Sequence, residues 1–205
     1  MNARNRFERK AAIYAPAPTA LIICEDAKSC RRYLESAARH YRSSARIRVT
    51  FCGNTDPIGI VEEAIRENRN FDEVFCVIDR DRHARFDEAV AKAAENGVRV
   101  IASYPCYEYW LLLHFKFTRA GFVAQGAKSP GQCVVDDLRR CEGMQDYQKG
   151  QDVDMFDFLL QRLPQAKENA SRAKKDAEAV NEPNPSTQLH VMIERIEALG
   201  RLVRK

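Results

Sequence analysis

The chain has 205 residues, of which 45% are hydrophobic and 30% charged, and its formal net charge is +4. This composition is typical of a soluble globular protein with a substantial core, and it excludes a disordered chain. No apolar run approaches the roughly 18 residues that a membrane span needs, and no apolar segment follows the basic N-terminus, so we expect neither membrane insertion nor a secretory signal. The seven cysteines form no C-x-x-C pair, which argues against a zinc knuckle and favours the reducing cytoplasm.

Strand-like and helix-like segments alternate over the first half of the chain. Residues 1–18 are basic and then proline-rich, and we interpret them as a flexible basic arm. Strands are predicted at residues 20–24, 46–51, 73–78 and 98–102, and helices at residues 28–42, 56–68, 85–96 and 107–115. This alternation predicts an α/β fold with a mainly parallel four-stranded sheet flanked by helices.

The second half has a different pattern. From Gly121 onward we predict no strand, and a break at residues 181–187 is rich in asparagine and proline. Helices are predicted near residues 132–141, 153–162, 165–180 and 187–199. We therefore expect an α/β domain over residues 19–118 and a helical C-terminal region over residues 119–205 that packs on the same domain.

The segment from Val74 to Asp81 reads V-F-C-V-I-D-R-D. Its apolar run suits a strand buried on both faces, which would place Asp79 and Asp81 at the carboxyl edge of the sheet, where open α/β sheets carry their sites. Two carboxylates this close raise each other's pKa unless a cation is present, and Mg²⁺ prefers such oxygen ligands. The plainer alternative is that both aspartates begin a turn and cap the next helix.

Two glutamates follow other predicted strands. Glu25 comes directly after the first strand, and since parallel strands end at one edge, we expect it near Asp79 and Asp81. Three such acids could hold one or two Mg²⁺ ions, which would neutralise and orient a phosphate. Glu108 follows the fourth strand and either supports this site or only complements the start of an apolar helix. The same helix-start role is the alternative for Glu25.

Histidines and basic residues supply further candidates. His83 lies beside the aspartates and is the better histidine for proton transfer, although a solvated turn residue is the commoner role. His114 lies among leucines, so we expect it in the core. Five basic residues are candidates for binding a nucleic-acid backbone, with a solvated helix face as the alternative: Lys28, Arg31 and Arg32 on the first helix, and Lys174 and Lys175 in the helical tail.

Several motifs together resemble a known family. A glutamate after the first strand and Asp-x-Asp after the third are similar to the Toprim domain. L-I-I-C-E at residues 21–25, I-D-R-D at 78–81, Y-P-C-Y-E-Y-W-L-L-L-H-F at 104–115 and N-P-S-T at 184–187 resemble the RloB family in order and spacing. The resemblance covers roughly residues 20–199. It departs from the family pattern at Asp26, where a glycine is frequent, and at Tyr104, where an asparagine is common.

The RloB resemblance implies a Toprim-like nuclease, dependent on Mg²⁺ or Mn²⁺, that cleaves RNA, tRNA included, or DNA as an effector of bacterial anti-phage defence. It also implies an AAA- or ABC-type ATPase partner encoded nearby, and it leaves a homo-oligomer open. Carried over residue by residue, Glu25 is a general base or metal ligand, and Asp79 and Asp81 are metal ligands. The alternatives are a non-catalytic nucleic-acid-binding or regulatory subunit of an ATPase-containing complex and a small-molecule phosphate enzyme.

Overall fold

A five-stranded sheet forms the centre of the fold in the computed structural model, which describes residues 18–44, 46–80 and 83–202. Its strands are β1 (Ala20–Cys24), β2 (Ile47–Phe51), β3 (Glu73–Asp79), β4 (Arg99–Tyr104) and β5 (Ser186–Thr187). Their order across the sheet is β2-β1-β3-β4-β5. The first four strands are parallel and β5 is antiparallel to β4, so the predicted α/β fold with a mainly parallel sheet is confirmed.

The fifth strand was not predicted from the sequence. Ser186 and Thr187 pair with Tyr104 and Ser103 and extend the sheet at one edge. Two residues are too few to show the alternation that identifies a strand, which is why the prediction of no strand after Gly121 was wrong here. The Thr187 hydroxyl also accepts a hydrogen bond from the Leu189 N–H at 3.2 Å, in the first turn of the helix that follows.

Helices cover both faces of the sheet. They are α1 (Ser29–His40), α2 (Pro57–Glu67), α3 (Phe86–Glu95), α4 (Glu108–Leu112), α5 (Pro130–Leu138), α6 (Met155–Leu159), α7 (Leu163–Val180) and α8 (Leu189–Leu202). Alternate residues of β1 and β3 point to opposite faces, so one face packs on α2 and α3 and the other on α1 and α4–α8. The consecutive apolar runs of these strands are explained by burial on both sides.

The C-terminal helices share a hydrophobic cluster with the first half of the chain. Phe156 of α6 packs against Tyr33 of α1, with their ring centroids 5.3 Å apart. Residues of α5, α7 and α8 belong to the same hydrophobic cluster as residues of β1. The domain boundary at residue 118 stays a prediction, and the arm predicted at residues 1–18 lies, apart from its last residue, outside the described residues. Within the described ranges, no helix is long and apolar enough to cross a membrane.

Close contact between α1 and α8 generates a test of the packing. A Cβ atom on Gly200 of α8 would collide with the backbone carbonyl oxygen of Tyr41, whereas one on Gly59 of α2 would meet only the exposed side chain of Asn54. We expect Gly200→Ala to lower the free energy of unfolding by about 2 kcal/mol, because backbone must shift. Gly59→Ala should change it by less than about 1 kcal/mol. Urea unfolding followed by circular dichroism measures both, and equal effects would contradict this packing.

Candidate active site

Three neighbouring strands bring acidic residues to one edge of the sheet. β1, β3 and β4 lie side by side, and each ends at the carboxyl edge. Glu25 directly follows β1, and its N–H donates to the Val77 carbonyl at 3.0 Å. Asp79 is the last residue of β3, and Glu108 begins α4 after β4. The expected convergence of Glu25 and Asp79 is therefore present, and Glu108 joins them.

Glu25 contacts Asp79, as expected, and also His83. Its Oε2 accepts a hydrogen bond from the Asp79 N–H at 2.7 Å, and its Oε1 lies 3.2 Å from Nε2 of His83. A carboxylate oxygen accepts, so Nε2 of His83 is the donor in this contact. Asp81, predicted as a metal ligand, lies outside the described residues.

The carboxyl group of Asp79 is in an electrostatically unfavourable position. Burial raises its pKa well above the usual aspartate value, and the negative charges of Glu108 and Glu25 raise it further. The positive charge of Lys149 lowers this pKa. Asp79 is half-buried and faces the negative charges of Glu108 and Glu25, and a cation would relieve that repulsion.

Lys149 supplies a positive charge at this edge. Its Nζ lies 2.9 Å from Oε2 of Glu108, a side chain that is only 3% exposed, and the Tyr147 hydroxyl donates to Oε1 of Glu108 at 3.3 Å. Partial burial alone would lower the pKa of Lys149, but the charge and hydrogen bonding of Glu108, together with the charges of Cys106 and Asp79, outweigh burial and raise that pKa above the usual lysine value. Lys149 is thus positively charged at neutral pH and partners a buried carboxylate.

A pocket of about 340 Å³ opens at this cluster. The acids Asp79 and Glu108 line its wall, and so do the lysines Lys28 and Lys149. Its full lining is Asp26, Ala27, Lys28, Ser29, Asp79, Tyr107, Glu108, Lys149 and Gly150. Acids and bases that line one pocket can bind a cation and an anion side by side, as a metal-bound phosphate requires.

The segment that carries Lys149 is fastened to α1. The Gly150 N–H donates to the Ser29 hydroxyl at 2.8 Å, and a guanidinium N–H of Arg32 donates to the Gln151 carbonyl at 3.1 Å. Arg32 also forms an ion pair with Asp152. Gly150 has φ +73°, a conformation that favours glycine. These contacts hold one wall of the pocket in place from the C-terminal region.

The start of α1 is shaped by Asp26. Its two carboxylate oxygens accept from the N–H groups of Lys28 and Cys30 at 2.8 and 2.9 Å. These bonds satisfy N–H groups that the first turn of a helix leaves without partners. Asp26 thereby fixes the turn that places Lys28 and Ser29 in the pocket wall.

The predicted nucleic-acid-binding residues do not form one surface. Lys28 lines the pocket, but Arg31 pairs with Glu35 at 3.6 Å, and Arg32 is used to anchor the Gln151 segment. Lys174 pairs with Glu178 at 2.6 Å on α7. Neither Lys174 nor the exposed Lys175 lines the pocket. The structure therefore brings only Lys28 to the acidic edge.

His114 lies in the core, as the sequence led us to expect. Its Nδ1 lies 3.0 Å from the Trp110 carbonyl oxygen and its Nε2 lies 3.2 Å from the Tyr33 hydroxyl. A carbonyl can only accept, so Nδ1 donates and the Tyr33 hydroxyl donates to Nε2. Burial lowers the pKa of His114 to about 4, which keeps the ring neutral near pH 7.

Sequence reasoning missed the residues of the 147–150 segment. Lys149, Tyr147 and Gly150 lie in Y-Q-K-G, a short polar stretch with no periodicity and no fixed spacing to the strands. A glycine after a lysine could have suggested a turn, but not its position beside Glu108. Across the described ranges, which omit Asp81, no group of three or more His, Cys, Asp or Glu residues is arranged to hold a metal ion.

The fold and the edge together define an α/β protein with an acidic pocket at the carboxyl end of a mainly parallel sheet. A family model described as RloB-like protein matches residues 20–196, and the chain therefore belongs to the RloB-like family. The sheet and its flanking helices are consistent with the Toprim-like architecture that this membership implies. A search of curated proteins and a search of solved structures found no match.

The raised pKa of Asp79 predicts a pH-dependent stability. A pKa that is higher in the folded than in the unfolded state means that stability is lost as pH rises from the ordinary aspartate pKa, about 4, through the raised value. We expect Asp79→Asn to remove this loss. In EDTA, the variant should gain at least about 1 kcal/mol over the wild type between pH 5 and pH 8, measured by urea unfolding.

Asp136→Asn is the matched control for this measurement. A hydrogen bond from Lys128 lowers the pKa of Asp136, so its carboxylate favours the folded state and the variant should not gain stability with rising pH. If the Asp79→Asn protein gains nothing over the wild type between the two pH values, Asp79 does not carry the unfavourable charge described here.

Proposed function

We propose that this protein is a Mg²⁺-dependent phosphodiesterase that cleaves nucleic acid. The observation that carries the proposal is the convergence of Glu25, Asp79 and Glu108 at the carboxyl edge of the sheet, where burial and the charges of Glu108 and Glu25 raise the pKa of Asp79. Proteins keep such clusters at a cost in stability, and a divalent cation is the group that turns the repulsion into attraction. Membership of the RloB-like family supports the same proposal.

Carboxylate oxygens are the ligands that Mg²⁺ prefers, and Mn²⁺ would be accepted by the same oxygens. Asp79, Glu25 and Glu108 would hold the ion together with Asp81, which lies outside the described residues. The bound ion would neutralise a phosphate and stabilise developing charge on its oxygens. The thiol of Cys106 near this edge is a poor competitor, because burial and the charges of Glu108 and Asp79 raise its pKa and keep it neutral.

The chain's own residues would bind the phosphate and move protons. Lys28 and Lys149 line the same pocket as the acids and would attract the phosphate oxygens. Glu25 orients the ring of His83 through the 3.2 Å contact and leaves Nδ1 to accept a proton from an attacking water. The pair has the geometry of a base held by a carboxylate, which is a common way of positioning a catalytic imidazole.

We further propose, from family membership, that the activity serves anti-phage defence and is controlled by an AAA- or ABC-type ATPase encoded nearby. RNA, tRNA included, and DNA are both candidate substrates, because a phosphate-binding pocket reads the backbone rather than the bases. Cleavage of one polymer and not the other would identify the substrate.

A specific observation favours a second function, that of a non-catalytic regulatory subunit of the same complex. Arg31, Arg32 and Lys174 each lie in an ion pair with a neighbouring acid, which offsets the positive charge available to a nucleic acid. A subunit of this kind would bind the ATPase through its surface and would need no intact pocket. Complex formation that survives loss of the pocket acids, with no cleavage by the wild type, would favour it.

The first activity test replaces one pocket acid. Purified protein, combined with the neighbouring ATPase and Mg²⁺, should cleave RNA or DNA, and Asp79→Asn should lower the rate by about a hundredfold or more, because several kcal/mol of charge stabilisation depend on the ion. Asp136→Asn on α5 should leave the rate unchanged. Gel-resolved cleavage of labelled substrates measures both. Cleavage by the Asp79→Asn protein at the wild-type rate would exclude this site as the nuclease centre.

The second activity test addresses proton transfer. His83→Gln keeps a polar side chain near Glu25 but removes the titratable ring, and we expect a rate about a hundredfold lower with a flatter pH dependence near neutrality. His40→Gln, on the exposed end of α1, is the control. Initial rates between pH 5.5 and pH 9 make the comparison. An unchanged pH profile in the His83→Gln protein would show that another group transfers the proton.

A further inference from the structure

The contact between Lys149 and Glu108 joins two groups that a metal ion would separate. Lys149 Nζ lies 2.9 Å from Oε2 of a carboxylate that is 3% exposed, while its own side chain is 51% exposed toward the pocket. The same ammonium lowers the pKa of Asp79, so its charge reaches Asp79 as well as Glu108. An ammonium group in this position offsets the negative charge of the acids, as a bound divalent cation would.

The segment around Lys149 is built so that only the side chain must move. Gly150 is held by Ser29 and Gln151 is held by Arg32, so the backbone on the C-terminal side of Lys149 is fixed to α1. On the N-terminal side, the Tyr147 carbonyl accepts from Nε of Arg139 at 2.9 Å. A lysine side chain has enough rotatable bonds to leave Glu108 and remain in the pocket.

We propose that Lys149 is an internal counter-cation of the acidic edge, that a divalent metal ion displaces it from Glu108, and that the displaced ammonium then contacts a phosphate oxygen in the same pocket. The metal ion and Lys149 compete for Glu108, and the two positive charges also repel each other. Binding of the metal therefore makes Lys149 available to an anion, so the site gains affinity for phosphate only after the metal has bound. This inference rests on the proposed metal-dependent function.

The test measures metal affinity without any reaction. Titration of Mn²⁺ at pH 8, with free Mn²⁺ counted by electron paramagnetic resonance, compares the wild type with Lys149→Met. Removing the competing ammonium should tighten Mn²⁺ binding by about tenfold, the equivalent of one modest ion pair. An alkaline pH is used because it disfavours the protonated form of Asp79, which loss of Lys149 would otherwise favour.

Three variants control the measurement. Lys149→Arg keeps the charge and should bind Mn²⁺ as the wild type does, within about threefold. Lys28→Met removes a charge from the same pocket wall and should change the affinity by less than about threefold, which separates the contact with Glu108 from general positive charge. Lys149→Gln keeps a hydrogen-bond donor near Glu108 without the charge. It should tighten Mn²⁺ binding as Lys149→Met does, and it replaces Lys149→Met in the test if the methionine variant does not fold.

Each outcome is decisive. Tighter binding by the neutral Lys149 variants, or Mn²⁺ binding seen only in them, supports the proposal. Binding that Asp79→Asn abolishes but that the neutral variants leave unchanged or weaken overturns the role of Lys149 and leaves the proposed function standing. No binding sensitive to Asp79→Asn in the wild type or in any Lys149 variant overturns both.

Discussion

Repulsion among carboxylates at the carboxyl edge of the sheet is the constraint on which the other features of the site depend. Glu25, Asp79 and Glu108 lie at or after the ends of three neighbouring strands. Because these strands are parallel, all three acids lie at the same edge of the sheet. The raised pKa of Asp79 expresses that repulsion. A sheet that must carry three acids so close together needs a counter-charge, and the contacts around the edge supply one.

The scaffold supplies the counter-charge from a distant part of the chain. Lys149 comes from the C-terminal region, whose helices share the core that lies beneath β1 and α1. Arg32 and Ser29 of α1 hold the segment that carries Lys149. The packing of the C-terminal helices and the charge balance at the edge are thus coupled, because a shift of the segment that carries Lys149 would move its ammonium group relative to Glu108.

The sequence predicted the parts of the site that local pattern determines. An apolar run followed by an acid placed Glu25 and Asp79 at strand ends, and parallel topology brought them together. It could not predict Lys149, since its position beside Glu108 results from tertiary packing and leaves no periodicity in Y-Q-K-G. For the basic residues the local pattern was misleading. Arg31 and Arg32 lie in a basic segment that suggests a nucleic-acid-binding surface, but each of them forms an ion pair with an acid of the same protein. The two-residue strand β5 was too short to leave a pattern.

The central claim is that the acidic edge is a divalent metal site. Diffraction from crystals grown with Mn²⁺, recorded at a wavelength where manganese scatters anomalously, tests it most directly. We expect an anomalous peak beside the carboxylate of Asp79, within coordinating distance of Glu25 or Glu108 oxygens. No peak at this edge under saturating Mn²⁺, or peaks only elsewhere on the surface, would contradict it.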